Sequence, residues 1–233
     1  MRQGASGHVR LVQCGRRTLV EKRLPDPLGH DTEALALRTL AGSGLHVPEL
    51  VEVAPGSILM TRMPGERLDE VHPDVRLDGL RASAALLRRL HGIEPPAELP
   101  AAPDDARTIR RYVDAGGPPL PLTIPPATPA VFCHGDWGDG NLLAVDGRIT
   151  AVLDWEKAHL GDPLRELAGA AWGAARKDPR SFDAIAEGYG ADPDALRPWV
   201  PIHAARLWLW FAEMGPPEHL DQLTAELLAW HDA

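Results

Sequence analysis

Between Val131 and Pro163 runs the stretch VFCHGDWGDGNLLAVDGRITAVLDWEKAHLGDP, in which Asp136, Asn141 and Asp154 are spaced to act together. Asp146-Gly147 between apolar runs is a two-residue hairpin signal. Counting outward from it pairs Val145 with Arg148 and Asn141 with Val152, so Asp154 is expected just past the partner of Asn141. Diagonal neighbours on one face of a pleated pair lie about 7–8 Å apart, so an amide oxygen and a carboxylate can converge there on one cation, and Mg²⁺ suits such oxygen ligands. Asp136 falls in the turn before the hairpin, between Gly135 and Gly138. A carboxylate held on such a loop against a rigid scaffold can accept a hydroxyl proton. A base five residues before a metal-binding Asn, with a metal-binding Asp on the next strand, is the layout of phosphoryl transfer from a nucleotide.

Several elements must hold these residues in place. Val9 to Gln13 and Thr18 to Lys22 read as a strand hairpin around Cys14-Gly15-Arg16-Arg17. A helix follows over Thr32 to Leu40, with Asp31 as its expected cap and Gly42 and Gly44 as its stop. Leu50 to Val53 and Ser57 to Met60 flank Ala54-Pro55-Gly56 as a second strand pair, which ends at the turn-forming Met63-Pro64-Gly65. After Gly65 the pattern becomes helical: Leu77 to Leu90, a shorter element over Ala106 to Val113, then Leu164 to Arg176, Ser181 to Tyr189, Leu196 to Met214 and Glu218 to Trp230. The proline-rich segment between Pro95 and Pro129 reads as a long connection.

A chain of 233 residues, 44% hydrophobic and 24% charged, can bury a core of ordinary globular composition. Its formal net charge of -9, with no basic run, argues against general nucleic-acid binding and fits a neutral or cationic partner better. Cys14 and Cys133 are too few and too far apart for a zinc site or a disulfide framework, which makes the cytoplasm the simplest compartment. The N-terminal MRQGASGHVR lacks an apolar signal region, and no stretch reaches the roughly 18 apolar residues of a membrane span, so no membrane association is expected. Cys133, at a buried strand end, is expected to be inert, and His91, on the apolar side of its helix, to be structural.

His134-Gly135-Asp136-Trp137-Gly138-Asp139-Gly140-Asn141, with Leu153-Asp154-Trp155-Glu156 and Gly161-Asp162-Pro163, resembles the aminoglycoside phosphotransferase and choline kinase-like family. The resemblance implies an α+β, two-lobed protein-kinase-like fold. It would have a β-rich nucleotide-binding lobe over residues 1–60, a hinge over 61–65, and a helical lobe with the catalytic loop and acceptor site over 66–233. It also implies that Asp136 is the catalytic base, that Asn141 and Asp154 ligate Mg²⁺, that His134 braces the loop and that Asp162 is a supporting acid. Upstream, Lys22 is placed like the phosphate-binding lysine of that family, with Glu33 as its partner. Gly4-Ala5-Ser6-Gly7, with Gly4, Ser6 and Gly7, would be the loop over the phosphates, and the backbone of Thr61, Arg62 and Met63 would meet the base of ATP or GTP. Only three residues precede Gly4, so either the small lobe is shortened by its leading strand or the true start lies upstream of this sequence. Glu166 stands where the family commonly has an aspartate, a change expected to be tolerated.

The implied activity is transfer of the γ-phosphoryl group of ATP or GTP to a hydroxyl of an aminoglycoside-like antibiotic or another amino- or sugar-like metabolite. Two alternatives stand beside it: a nucleotide-binding pseudokinase, and a metal-dependent hydrolase built on Asp136, Asp139 and Asp154 with His134 or His159. After Arg206 the chain carries Glu213, Glu218, Asp221, Glu226 and Asp232 but no lysine or arginine. A cationic acceptor is one reading of that asymmetry, and a solvated helix face is the other.

Overall fold

The structure, a computed structural model, describes residues 8–126 and 128–229. The expected phosphate loop with Gly4, Ser6 and Gly7 lies outside them, as does Asp232.

Strands β1 (His8–Cys14) and β2 (Arg17–Arg23) form the expected hairpin, and helix α1 (Pro27–Leu40) follows. Asp31 does not cap that helix. Asp26 does, accepting from the N–H groups of Leu28 and Gly29, with Pro27 at the first helical position. An Asp followed by Pro suits the start of a helix because the capping carboxylate satisfies open N–H groups and proline offers none. Strands β3 (Leu50–Ala54) and β4 (Ser57–Thr61) complete an antiparallel sheet of order β1-β2-β4-β3. Ile58, Leu37 and Leu40 pack between this sheet and α1 as part of the main core.

The chain then runs through Arg62 to Gly65 into the short strand β5 (Glu66–Arg67) and the long helix α2 (Pro73–Leu90). Gly65 has φ 119, and a Cβ there would press on the Ala144 carbonyl oxygen at 2.7 Å and on Thr150 Oγ1 at 2.8 Å, so this crossing between the two parts requires glycine. Helix α3 (Asp105–Asp114) lies in the proline-rich connection. Strand β6 (Val131–Cys133) precedes the candidate loop, and β7 (Leu142–Val145) and β8 (Arg148–Val152) follow it. β9 (His159–Gly161) then returns antiparallel to β6.

Helices α4 (Pro163–Ala175), α5 (Arg180–Tyr189), α6 (Pro193–Leu196), α7 (Val200–Met214) and α8 (Pro217–Ala229) fill the larger part. The single helix expected over Leu196 to Met214 is instead broken by a 3-10 turn at Arg197–Trp199. Pro198 and Pro201 withhold the N–H groups that continuous α pairing would need there. One apolar core runs from Leu37 and Ile58 through Leu68, Leu87 and Trp155 to Ile202. A second, around Tyr112, Trp208, Leu223 and Leu227, joins α3, α7 and α8. The whole is α+β, a small sheet part followed by a larger helical part, and among the described residues no helix is long and apolar enough to cross a membrane.

Candidate active site

The loop after β6 begins at His134, whose ring is buried against the edges of Trp137 and Trp155. The Asp136 N–H donates to His134 Nδ1 at 3.1 Å, so Nε2 must carry the ring proton that reaches the Leu153 carbonyl oxygen at 2.9 Å. One neutral imidazole thus joins the Asp136 backbone to the residue before Asp154. Gly135 has φ 85, and a Cβ there would collide with the Lys157 carbonyl oxygen. The loop can pass this close only as glycine.

Glu166, on the first turn of α4, holds the same loop from beneath. It accepts from the N–H of His134 at 3.1 Å and of Gly135 at 2.6 Å, and its Oε2 lies 2.9 Å from His91 Nε2. Burial pushes the Glu166 carboxyl up, but the hydrogen bond and charge of His91 and the Gly135 N–H outweigh it and hold it down at about 2. His91 also reaches the Tyr189 hydroxyl at 2.7 Å. Asp162 caps α4 with one oxygen, on Leu164 N–H at 2.8 Å and Arg165 N–H at 3.0 Å, and accepts with the other from Thr128 N–H and Oγ1. Its carboxylate is fully engaged in placing the helix that carries Glu166.

The Asp136 carboxylate itself is half exposed and lies 2.8 Å from Lys157 Nζ. Asn141 donates its amide nitrogen to the Asp136 carbonyl at 2.9 Å, which leaves Oδ1 as the atom that could ligate a cation. The outward count from Asp146-Gly147 is off by one at this end. Asp146 and Gly147 do turn the chain, with φ 50 and 75, and Val145 faces Arg148, but Leu142 rather than Asn141 faces Val152. Thr150 is an extra residue on β8, a bulge whose hydroxyl donates to the Pro64 carbonyl at 2.6 Å. Asn141 instead accepts from Leu153 N–H at 2.8 Å, so it still borders Asp154. Asp154 lies past the end of β8 rather than on it, with φ 69, a left-handed backbone that costs a non-glycine residue about 1–3 kcal/mol.

Lys22, buried on β2, reaches across to the hairpin. Its Nζ lies 2.6 Å from Glu33 Oε2 on α1, 2.6 Å from Asp154 Oδ1 and 3.1 Å from Glu156 Oε2. Burial alone would lower the lysine, but Glu33 and Asp154 raise it above its usual range, while Lys22 overrides burial to hold Asp154 below its own. Three carboxylates therefore share one ammonium, and Glu156 Oε2 is buried without a hydrogen-bond partner. The Lys22 contact to it is close but not aimed as a hydrogen bond, so the orphaned oxygen stands. A surplus of negative oxygen donors with an unsatisfied member fits a hard divalent cation.

Thr61 spends its N–H on the Glu49 carbonyl at 2.9 Å, and its hydroxyl accepts from Glu49 N–H at 2.8 Å. Arg62 and Met63 lie beyond the last paired residue of β4, where the ladder no longer claims their backbone groups. Asp139 is buried on Arg76 Nε at 2.7 Å and Lys177 Nζ at 3.0 Å. It is thereby taken from the metal set that the hydrolase alternative needs. Cys133 is buried, and burial pushes its thiol up. Sequence reasoning did not single out Lys157, nor the roles of Glu156 and of Arg76. Glu156 and Lys157 directly follow Asp154-Trp155, and that adjacency was the available signal.

Residues 2–199 match the Phosphotransferase enzyme family. The chain belongs to that family. It is 30% identical over 205 residues to viomycin phosphotransferase of Streptomyces vinaceus, a match covering 72% of this chain and 69% of that one. It is 24% identical over 257 aligned positions to mouse acyl-CoA dehydrogenase family member 10, covering 92% of this chain but only 23% of that much longer protein. Among solved structures, a thermostable mutant of aminoglycoside phosphotransferase APH(4)-Ia in ternary complex with AMP-PNP and hygromycin B superposes with a TM-score of 0.67 at 18% identity, covering 98% of this chain and 90% of the other. The fold is therefore the kinase-like one of the aminoglycoside phosphotransferases, as the resemblance implied.

Proposed function

We propose that this chain transfers the γ-phosphoryl group of ATP or GTP to a hydroxyl of a small molecule, an antibiotic or an amino- or sugar-like metabolite. The observation that carries this reading is the Lys22 ammonium, held 2.6 Å from both Glu33 and Asp154 although Lys22 and Asp154 are 132 positions apart. A buried lysine shared between the small sheet and the hairpin supports a nucleotide whose phosphates bridge the two parts, whereas a two-metal hydrolase has no use for it. Residues 1–60 then serve as the nucleotide lobe, 61–65 as the hinge with Arg62 and Met63 offering backbone groups to the base, and the helical part as the acceptor lobe. Gly4, Ser6 and Gly7 keep the role of phosphate loop in this reading.

Asn141 and Asp154, with Glu156 close by, would hold Mg²⁺, which supplies charge neutralisation for the transferred phosphoryl group. Lys22 orients the nucleotide phosphates. Asp136 accepts the acceptor hydroxyl proton, and His134 and Glu166 fix the backbone that aims it. Lys157 holds Asp136 Oδ2, so an incoming hydroxyl either meets the other carboxylate oxygen or displaces the lysine. The pair is half exposed, so releasing it costs about 0–1 kcal/mol. A pseudokinase would not need the retained base and both metal-ligand candidates.

The test is acceptor-dependent release of ADP or GDP across a panel of hydroxylated metabolites and antibiotics, with Lys22→Ala and Asp136→Asn as controls. Turnover that survives both substitutions would reject the kinase reading.

A further inference from the structure

A cavity of about 540 Å³ opens beside Asp136, walled by α4 and α7. Its charges are unlike those of a trap for cations. Of the carboxylates on its wall, Asp139 is spent on Arg76 and Lys177, Glu166 on His91 and the loop N–H groups, and Asp136 on Lys157. The acidic terminal segment does not supply others. Glu213 pairs with Arg111 and Glu226 with Arg176, and neither Glu218 nor Asp221 lines the cavity.

The cations on the wall are not balanced in the same way. Arg165 is held by Asp105 through two hydrogen bonds of 2.8 and 2.6 Å. Arg206, half-buried on α7, has neither a hydrogen bond nor an ion pair among the described residues. A guanidinium does not deprotonate in a protein, so withdrawing one from water without a counter-charge is costly. Burial, and then the Arg165 charge, push the Arg206 pKa down, and the charges of Asp136 and Asp105 oppose that. Trp210, one helical turn further along α7, and Leu207 give the same wall an apolar surface. A charged group kept unpaired in a cavity, next to apolar side chains and within the field of the base, is arranged to receive an anion from outside.

We propose that Arg206 binds an anionic group of the acceptor, a carboxylate or a phosphate, and so presents a hydroxyl of the same molecule to Asp136. The acceptor class becomes a hydroxylated acid or phosphate ester rather than a polycation. This rests on the reading of Asp136 as the base.

Two measurements test it. The wild type, Arg206→Met, Arg206→Lys and the surface control Arg197→Met are titrated at constant ionic strength with inorganic phosphate and with glycolate, following fluorescence from the cavity tryptophans. Saturable binding of at least one anion is expected, weakened about 10-fold or more by Arg206→Met, less by Arg206→Lys and not by Arg197→Met. The anion that binds tells phosphate from carboxylate. Absence of saturable binding, or equal binding by Arg206→Met, overturns the proposal.

In the second measurement gluconate, glucose 6-phosphate, glucose and glucosamine are compared as acceptors, and the search extends to other matched sets until one set is turned over. An anionic member should be preferred, and Arg206→Met should raise its KM about 10-fold with nucleotide KM unchanged. A best acceptor that is neutral or cationic, with a KM indifferent to Arg206→Met, overturns the proposal. Asp136→Asn separates the two readings. It should bind the anion and lose turnover, so intact turnover would reject the base and leave the anion site standing.

Discussion

Replacing Glu166 by Gln removes a charge that three groups, the His134 and Gly135 N–H and the His91 ring, are placed to meet. Its carboxyl is held at about 2 against an ordinary value of 4.5. The sign follows from the depression: the carboxylate is favoured in the folded state, so its contribution is fully present above the unfolded value and is lost as pH falls through the folded one. That depression corresponds to about 3 kcal/mol at neutral pH. Glu166 is buried, so solvent screening takes little from that figure. The Gln amide can accept with one oxygen only, so at least one of the His134 and Gly135 N–H groups loses its partner.

Urea unfolding followed by tryptophan fluorescence between about pH 2 and pH 7 should therefore show Glu166→Gln less stable by about 2–4 kcal/mol at neutrality. The loss should shrink as the pH falls from about 4.5 to about 2, where the wild type gives up the same stabilisation. Turnover should fall with nucleotide affinity kept, because the loop aims Asp136 but does not touch the nucleotide. Equal stability of the two proteins at pH 7, or a difference that does not shrink in acid, would refute this account of the loop.

Asp136→Ala is expected to leave fold and nucleotide binding in place and to lower turnover roughly 10²–10⁴-fold, measured as acceptor-dependent ADP or GDP release. Asn141→Ala and Asp154→Ala should each weaken Mg²⁺-nucleotide binding, and the double variant should lose less than the sum, since both would serve one cation. Mg²⁺ titrations of the three variants that gave additive losses would separate the two residues. Lys22→Met should leave Glu33, Asp154 and Glu156 facing one another without an ammonium, lowering Tm and making it rise steeply on adding Mg²⁺ alone; a Tm indifferent to Mg²⁺ in that variant would count against a cation site there.

Much of the small sheet was legible in local signals. Gly15 and Pro55-Gly56 marked its turns, and alternating apolar residues marked its strands. Apolar periodicity alone places the helix starts several residues late, at Thr32 and Leu77 rather than Pro27 and Pro73. The sharper cue was an Asp or His before proline, as at Asp26, His72, Asp162 and Asp192. Pro198 and Pro201 likewise announced the break before α7 that apolar spacing hid.

The residue types and spacing from His134 to Asp162 determined by themselves the family and the candidate base and cation ligands, because a short loop and a hairpin confine those side chains to one place. Tertiary structure decided the rest. The Thr150 bulge is a response to the linker at Pro64 and cannot be counted from a turn. Lys22 became the buried ammonium only when folding turned it toward Glu33, Asp154 and Glu156. Glu166 became the support of the loop only when α4 packed beneath β6, and Arg206 is left without an ion pair among the described residues because Asp105, Asp136 and Glu166 pair elsewhere. Local sequence specifies which groups exist and how neighbours turn, whereas the pairing of a charge is settled by competition among all the groups that folding brings within reach.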